Sequence, residues 1–219
     1  DKLDLDFIVT PYGTEDIKIL SDIGVDKLKI SSADLTDKSL IEAACLTKLP
    51  LILSTGMSSA FEIERTCNTI KSFKSIDYSL LHCTSAYPAT YESLNINAMQ
   101  ELKNFSELVG YSDHSIDGMA SYIAVGLGAK ILERHITLDK TMKGPDHHCS
   151  DDPIEFKNYV SQVRLIELAL GDGIKVPHKK EEDMKKVSRK SAYLRFDVKK
   201  ESPINKDDFV FQRPGGGLN

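Results

Sequence analysis

Apolar residues in this chain gather into short unbroken runs separated by longer amphipathic stretches. Six runs read as strands: residues 6–10, 27–31, 51–54, 78–83, 108–111 and 130–135. They lack polar alternation, the pattern of strands buried on both faces of a parallel sheet. Most of the intervals between them carry a helical pattern. Ser59-Ala-Phe-Glu62 reads as a capping box, followed by Ile63, Cys67, Ile70 and Lys74 near a 3.6-residue period, with Phe73 beside the stripe. Residues 115–127 form a helix-like stretch between the fifth and sixth runs. After the sixth run, Asp152-Pro153-Ile154-Glu155 places an N-cap, a proline in the first turn and a glutamate three residues past the cap. Tyr159, Val163, Ile166 and Leu170 then fall on one face, and Gly171 ends the helix.

Strands alternating with helices predict an α/β fold with a parallel sheet and helices outside it. Six units are two short of a closed (β/α)8 TIM barrel of about 250 residues. Two further strand–helix units are therefore expected ahead of residue 1. The competing architecture is an open six-stranded doubly wound sheet, which no glycine-rich phosphate loop supports. The predicted domains are a partial barrel over residues 1–171, a charged linker over 172–188, and the beginning of a small β-rich domain over 189–219. Within the last, 191–197 and 209–212 read as strands around a charged turn region.

The strand ends are polar where the strand bodies are apolar. Two successive strands each deliver an imidazole, His114 after Tyr111-Ser112-Asp113 and His135 after Glu133-Arg134. The carboxyl ends of the strands are where a β/α barrel builds its active site. Two neutral imidazoles converging there can hold a divalent metal. The plainer reading is two unrelated histidines, one at a helix start and one in the core. Hydroxyls at Thr10, Ser32, Ser54 and Ser112, with the ammonium of Lys29, suit an anion such as phosphate. The turn at Gly144-Pro145 aims Asp146 toward the barrel mouth. In His147-His148-Cys149 adjacent side chains diverge and no CxxC accompanies them, so a loop is expected there and not a zinc site.

Composition narrows the classes. The chain has 219 residues, 41% of them hydrophobic, enough for a real core. A net charge of −5 and no dense basic run argue against nucleic acid. No apolar stretch is long enough to span a membrane, and the charged first residues show no leader pattern. Four scattered cysteines read as the reduced thiols of a cytoplasmic protein.

Several motifs occur here in one order: Leu51 to Ser54-Thr-Gly-Met57, Leu81-His-Cys-Thr84 with Tyr87-Pro88, Gly110-Tyr-Ser-Asp-His114, Glu133-Arg-His135, Gly144-Pro-Asp-His147 and Arg213-Pro-Gly215. Together they resemble the sialic acid synthase family, the N-acetylneuraminate synthases with their legionaminic and pseudaminic acid relatives, over essentially the whole chain. The resemblance implies a TIM barrel followed by a small SAF, or antifreeze-like, domain. It implies condensation of phosphoenolpyruvate with an N-acetylated hexosamine, typically N-acetylmannosamine, to a nine-carbon 2-keto acid and phosphate. It also implies a divalent metal cofactor, Mn2+ or Mg2+.

By matching motifs, His114 and His135 would hold the metal and, with Lys29, carry the catalysis. Thr10, Lys29, Ser32, Ser54 and Ser112 would surround phosphoenolpyruvate. Tyr87 and Asp146 would contact the amino sugar, and Arg213 would reach the sugar bound in the other subunit of a domain-exchanged homodimer. Ser85 stands where several relatives have asparagine, leaving one substrate contact open. The family's catalytic glutamate and a further lysine belong to the first two strand–helix units, so turnover by these 219 residues alone is in question. A metal-dependent amidohydrolase barrel and a non-catalytic sugar-binding module remain the alternatives, and the sequence does not choose among the nine-carbon acids.

Overall fold

The structure, a computed structural model, describes residues 4–218. Six strands form one sheet in chain order: β1 (Ile8–Val9), β2 (Lys27–Ile30), β3 (Leu51–Ser54), β4 (Tyr78–His82), β5 (Val109–Asp113) and β6 (Ile131–Arg134). Every neighbouring pair is parallel. Each strand expected from its apolar run is present, although the first shrinks to two residues. Among the described residues, β1 pairs only with β2 and β6 only with β5, so the sheet has two open edges.

Helices follow the strands: α1 (Thr14–Ile23), α2 (Lys38–Leu46), α3 (Ala60–Lys71), the short α4 (Tyr91–Leu94) and α5 (Met99–Leu102), then α6 (Met119–Gly126) and α7 (Pro153–Leu170). Their starts are chemically marked. Asp37 accepts from the amides of Ser39 and Leu40 and caps α2. Ser59 and Glu62 form the capping box of α3 as the sequence predicts. Asp152 Oδ1 accepts from the amides of Ile154 and Glu155, while Glu155 Oε2 accepts from the amide of Asp152 and closes the same box on α7. Gly171 ends α7 with a left-handed φ of +61°.

The expected helix over 115–127 is shorter than its pattern. Asp113 Oδ1 takes the Ser115 amide, and Gly118 has a φ of +71°, outside the helical region, so α6 begins only at Met119.

Strand alternation sorts the side chains to two faces. Leu28, Ile30, Leu51, Leu53, Leu80, Val109 and Tyr111 face the helices. There they pack with Leu40, Ile41, Ala44, Ile63, Cys67, Ile70, Met99 and Ala124 into the hydrophobic core. Lys29, Ile52, Ser54, Leu81, Ser112 and Glu133 take the other face. The sheet curls around that face: Lys29 Nζ on β2 lies 3.5 Å from the Glu133 carboxylate on β6, although three strands separate them in the sheet.

A cavity of about 550 Å³ lies along β6, between Ile131 and Leu132 of the strand and Phe156, Tyr159 and Val163 of α7, and reaches Thr10 and Lys29. On the predicted α7 face only Tyr159 is fully buried, while Val163, which lines this cavity, and Ile166 are half-buried and Leu170 is exposed.

All four cysteines are unpaired and buried. Among the described residues, no helix is long and apolar enough to cross a membrane.

The chain divides into two compact units, the second beginning at Gly171. The stretch expected as a linker contains a turn of 3-10 helix capped by His178 and then α8 (Glu182–Ser188). Beyond it, β7 (Ser191–Leu194) and β8 (Phe209–Gln212) pair antiparallel, with Ser191 opposite Gln212 and Leu194 opposite Phe209. Strand β7 therefore stops three residues before the expected end at 197.

Candidate functional site

The polar strand ends meet at the carboxyl end of the curled sheet. Ser112 on β5 and Glu133 on β6 are register partners, as are Asp113 and Arg134. One residue further on, His114 and His135 leave the strands on the same face as Ser112 and Glu133. Their rings lie 5.4 Å apart, edge to face.

Tyr87, in the segment after β4 and followed by a cis peptide to Pro88, packs against both imidazoles. Its ring is 4.2 Å from that of His114 and 5.6 Å from that of His135. Burial is the main influence raising the Tyr87 phenol pKa, and the nearby Cys83, Asp146 and Glu133 add to it.

His114 is buried, and its Nδ1 lies 2.8 Å from the Thr84 carbonyl oxygen. A carbonyl only accepts, so Nδ1 carries the proton and Nε2 keeps its lone pair. Burial lowers the His114 pKa, partly opposed by the Thr84 bond, and favours the neutral ring. His135 is more open, with Nδ1 3.9 Å from the Asp146 carboxylate. Asp146 makes no side-chain capping bond. Its backbone carbonyl accepts instead from Ser150 and Cys149 and folds the loop beneath it. His147 is held by Thr137, 2.7 Å from Oγ1 to Nδ1.

On the opposite face from the imidazoles lies a buried ionic knot. Arg134 donates from Nε and Nη2 to the two carboxylate oxygens of Asp151, at 2.5 and 2.8 Å, and its Nη1 is 3.2 Å from Asp113. It also donates to the carbonyls of Ser115 and Ile116. Asp113 accepts from the amide and hydroxyl of Ser121. Burial opposes the guanidinium charge, but the Asp151 bonds and the charges of Asp113 and Asp151 outweigh it and hold the pKa above its ordinary value.

The expected anion ligands are only partly gathered. Lys29 and Ser112 converge on one point, and Glu133 stands there: Ser112 Oγ donates to Glu133 Oε1 at 2.7 Å, while Lys29 faces Oε2. Ser54 Oγ is buried without a hydrogen-bond partner, on the inward face by strand alternation. Thr10 lines the cavity beside Lys29.

Ser32 is engaged elsewhere, accepting from the Gly56 amide at 3.0 Å and contacting Cys83 Sγ at 3.1 Å. Ser85 joins this cluster. A Cβ at Gly56 would fall 2.3 Å from Ser85 Oγ and 2.9 Å from Ser32 Oγ, so only glycine fits without displacing them. Arg213 belongs to the second unit, where Nε donates to the Ser188 carbonyl.

Glu133, Arg134 and Asp113 are residues of the site to which local patterning assigns no role. Their signal was the pair of tripeptides Ser112-Asp113-His114 and Glu133-Arg134-His135, which place hydroxyl opposite carboxylate and acid opposite base.

Among the described residues no three His, Cys, Asp or Glu side chains form a metal-holding group. The strand ends bring the His114 and His135 rings to 5.4 Å of each other.

A profile of the NeuB family matches residues 1–175. The N,N'-diacetyllegionaminic acid synthase of Legionella pneumophila is 40% identical over all of this chain and 63% of its own length. An uncharacterized protein of Methanocaldococcus jannaschii is 42% identical over all of this chain and 65% of its own length. The chain thus spans less than two thirds of these relatives. The crystal structure of the N-acetylneuraminic acid (sialic acid) synthetase of Leptospira borgpetersenii superposes with a TM-score of 0.78 at 38% identity, covering 84% of this chain and 64% of that one. The six strands are accordingly a curled half-barrel of the kind seen in sialic acid synthases.

Proposed function

This chain belongs to the NeuB family, and on that premise we propose that it condenses phosphoenolpyruvate with an N-acetylated hexosamine, of the N-acetylmannosamine type, giving a nine-carbon 2-keto acid and phosphate. The observation that carries the reading is the convergence of His114, His135 and Tyr87 at the strand ends, beside the cationic and hydroxyl donors Lys29 and Ser112.

A divalent ion, Mn2+ or Mg2+, fits the imidazole pair. The Thr84 carbonyl fixes the tautomer of the neutral His114 ring so that Nε2 is available as a ligand, and burial lowers its pKa toward that neutral form. His114 and His135 would hold it, with water and substrate oxygens filling the remaining positions. Bound there, the ion supplies Lewis acidity toward the carbonyl oxygen of the open-chain aldehyde.

The chain's own groups bind and orient. Lys29 and Ser112 donate to the anionic substrate, and Ser54 offers an unspent buried hydroxyl on the same face. Thr10, which lines the cavity beside Lys29, completes that subsite. Tyr87 walls the aldehyde region with Ser85 near it, and Asp146 beside His135 accepts hydroxyl hydrogens of the sugar.

Carbon 3 of phosphoenolpyruvate bonds to the aldehyde carbon, whose oxygen takes up a proton. Water adds at carbon 2. The tetrahedral intermediate expels phosphate as its carbon–oxygen bond breaks, and the remaining hydroxyl gives up its proton to leave the ketone. Donors fixed in advance lower the cost of the developing charge.

The same reading completes the half-barrel with two further strand–helix units on the open edges of β1 and β6. It makes residues 189–219 the beginning of a SAF domain, exchanged in a cytoplasmic homodimer so that Arg213 serves the other subunit's sugar.

The test is sugar-dependent phosphate release from phosphoenolpyruvate, with Mn2+ present and the keto acid identified by mass. N-acetylmannosamine and 2,4-diacetamido sugars are the substrates to compare. Phosphate release that does not respond to any amino sugar overturns the proposal.

A further inference from the structure

A carboxylate stands where the anionic substrate is proposed to sit. Glu133 Oε1 accepts a hydrogen bond from the Ser112 hydroxyl at 2.7 Å, and Oε2 lies 3.5 Å from the ammonium of Lys29. Both donors are buried. Lys29 has one further contact, to the Ile30 carbonyl at 3.2 Å. Without Glu133 its charge would face the sheet interior unpaired, an expensive arrangement. Glu133 itself is the more open member, with 38% of its side chain exposed against 11% for Lys29, so it can swing away while Lys29 stays. Its strand position is fixed opposite Ser112, which keeps its carboxylate within reach of the same donors.

We propose that Glu133 is an internal place-holder for the anion. It keeps the donors Lys29 and Ser112 paired and oriented in the free protein, and it must be displaced before an anionic ligand can take the same two donors. Glu133 is thus a residue that sets anion affinity. The inference rests on the anion seat assigned under the proposed function. The two donors can serve only one acceptor group at a time, and a carboxylate left beside a bound phosphate repels it. Both effects weaken the ligand.

The substitution Glu133→Gln preserves shape and leaves an amide oxygen for Ser112, but removes the charge. The experiment titrates the 219-residue chain by calorimetry with phosphoenolpyruvate, inorganic phosphate and pyruvate, in the wild type, Glu133→Gln, Glu133→Ala and Lys29→Gln. Thermal unfolding of each variant identifies any that fails to fold.

Affinity should rise roughly tenfold in both Glu133 variants, as expected when a like charge a few ångströms away is removed in a partly screened site, and fall in Lys29→Gln. A gain confined to inorganic phosphate puts the phosphate end at the seat, and a gain confined to pyruvate puts the carboxylate end there; either supports the place-holder. If the wild type binds and Lys29→Gln weakens it, but neither Glu133 variant binds more tightly, the place-holder is wrong while the anion seat stands. If no form, wild type included, binds any of the three, the seat and the place-holder fall together.

Discussion

Asp113 and Arg134 face each other across β5 and β6 as direct register partners, their side chains 3.2 Å apart and almost wholly shielded from water. A one-residue slip of either strand would turn its side chains to the opposite face. The pair therefore locks the register that puts His114 and His135, one residue later, on a common face.

Removing one member of such a knot leaves the others charged and buried. Arg134→Met should lower the free energy of unfolding by about 3–5 kcal/mol, read from urea denaturation. The exposed pair Arg164–Glu167 is the control, and Arg164→Met should change stability by less than about 1 kcal/mol. Equal effects from the two would show that the Arg134 knot does not anchor the strands.

Gly110 is where β5 and β6 approach too closely for a side chain. A Cβ there would fall 2.3 Å from the Ile131 carbonyl oxygen and 2.6 Å from Leu81 Cδ2. Backbone cannot step aside as a side-chain tip can. Gly110→Ala should therefore destabilise by roughly 1–3 kcal/mol and weaken divalent-metal binding by displacing His114 from His135. A variant with wild-type stability would mean that the strands part freely.

Metal binding by the imidazole pair has its own readout. Free Mn2+ gives a strong paramagnetic resonance signal that is lost on binding. His114→Ala and His135→Ala should each weaken Mn2+ at least about tenfold, a change of about 1.4 kcal/mol. His148→Ala, in the exposed part of the loop, should leave it unchanged. Loss in all three variants alike would point to nonspecific surface binding.

Asp146 should discriminate between the two substrates. Its carboxylate is free of capping bonds and lies beside His135. Asp146→Asn keeps the shape and removes the charge. A charge-assisted hydrogen bond contributes roughly 1.5–3 kcal/mol, so the Kd for the amino sugar, titrated by calorimetry, should rise tenfold or more while that for phosphoenolpyruvate stays nearly constant. Matching changes in both constants would exclude Asp146 as a sugar contact.

The strands were legible in the sequence because each is an apolar run ending in a polar residue, and the capping boxes at Ser59 and Asp152 because their chemistry is local. Helix α6 was overextended because apolar periodicity ran through residues that Asp113 and Gly118 hold in a turn. The convergence of His114 and His135 could be anticipated from equivalent positions on successive strands. The meeting of Glu133 with Lys29 could not. It joins strands four places apart and depends on how tightly the sheet curls, which no local pattern encodes. Likewise the hydroxyl of Ser32 points to Gly56 and Cys83, a choice made by packing between neighbouring strand ends.

The four buried cysteines also sample two different parts of the first unit. Cys45 and Cys67 lie in the packed layer of α2 and α3, whereas Cys83 and Cys149 lie near the strand ends, beside Ser32 and beneath Asp146. A thiol reagent reaches each only when its surroundings open. Pulsed alkylation followed by peptide mass analysis would therefore time two motions in the unmodified chain: loosening of the helical shell through one pair, and breathing of the mouth through the other.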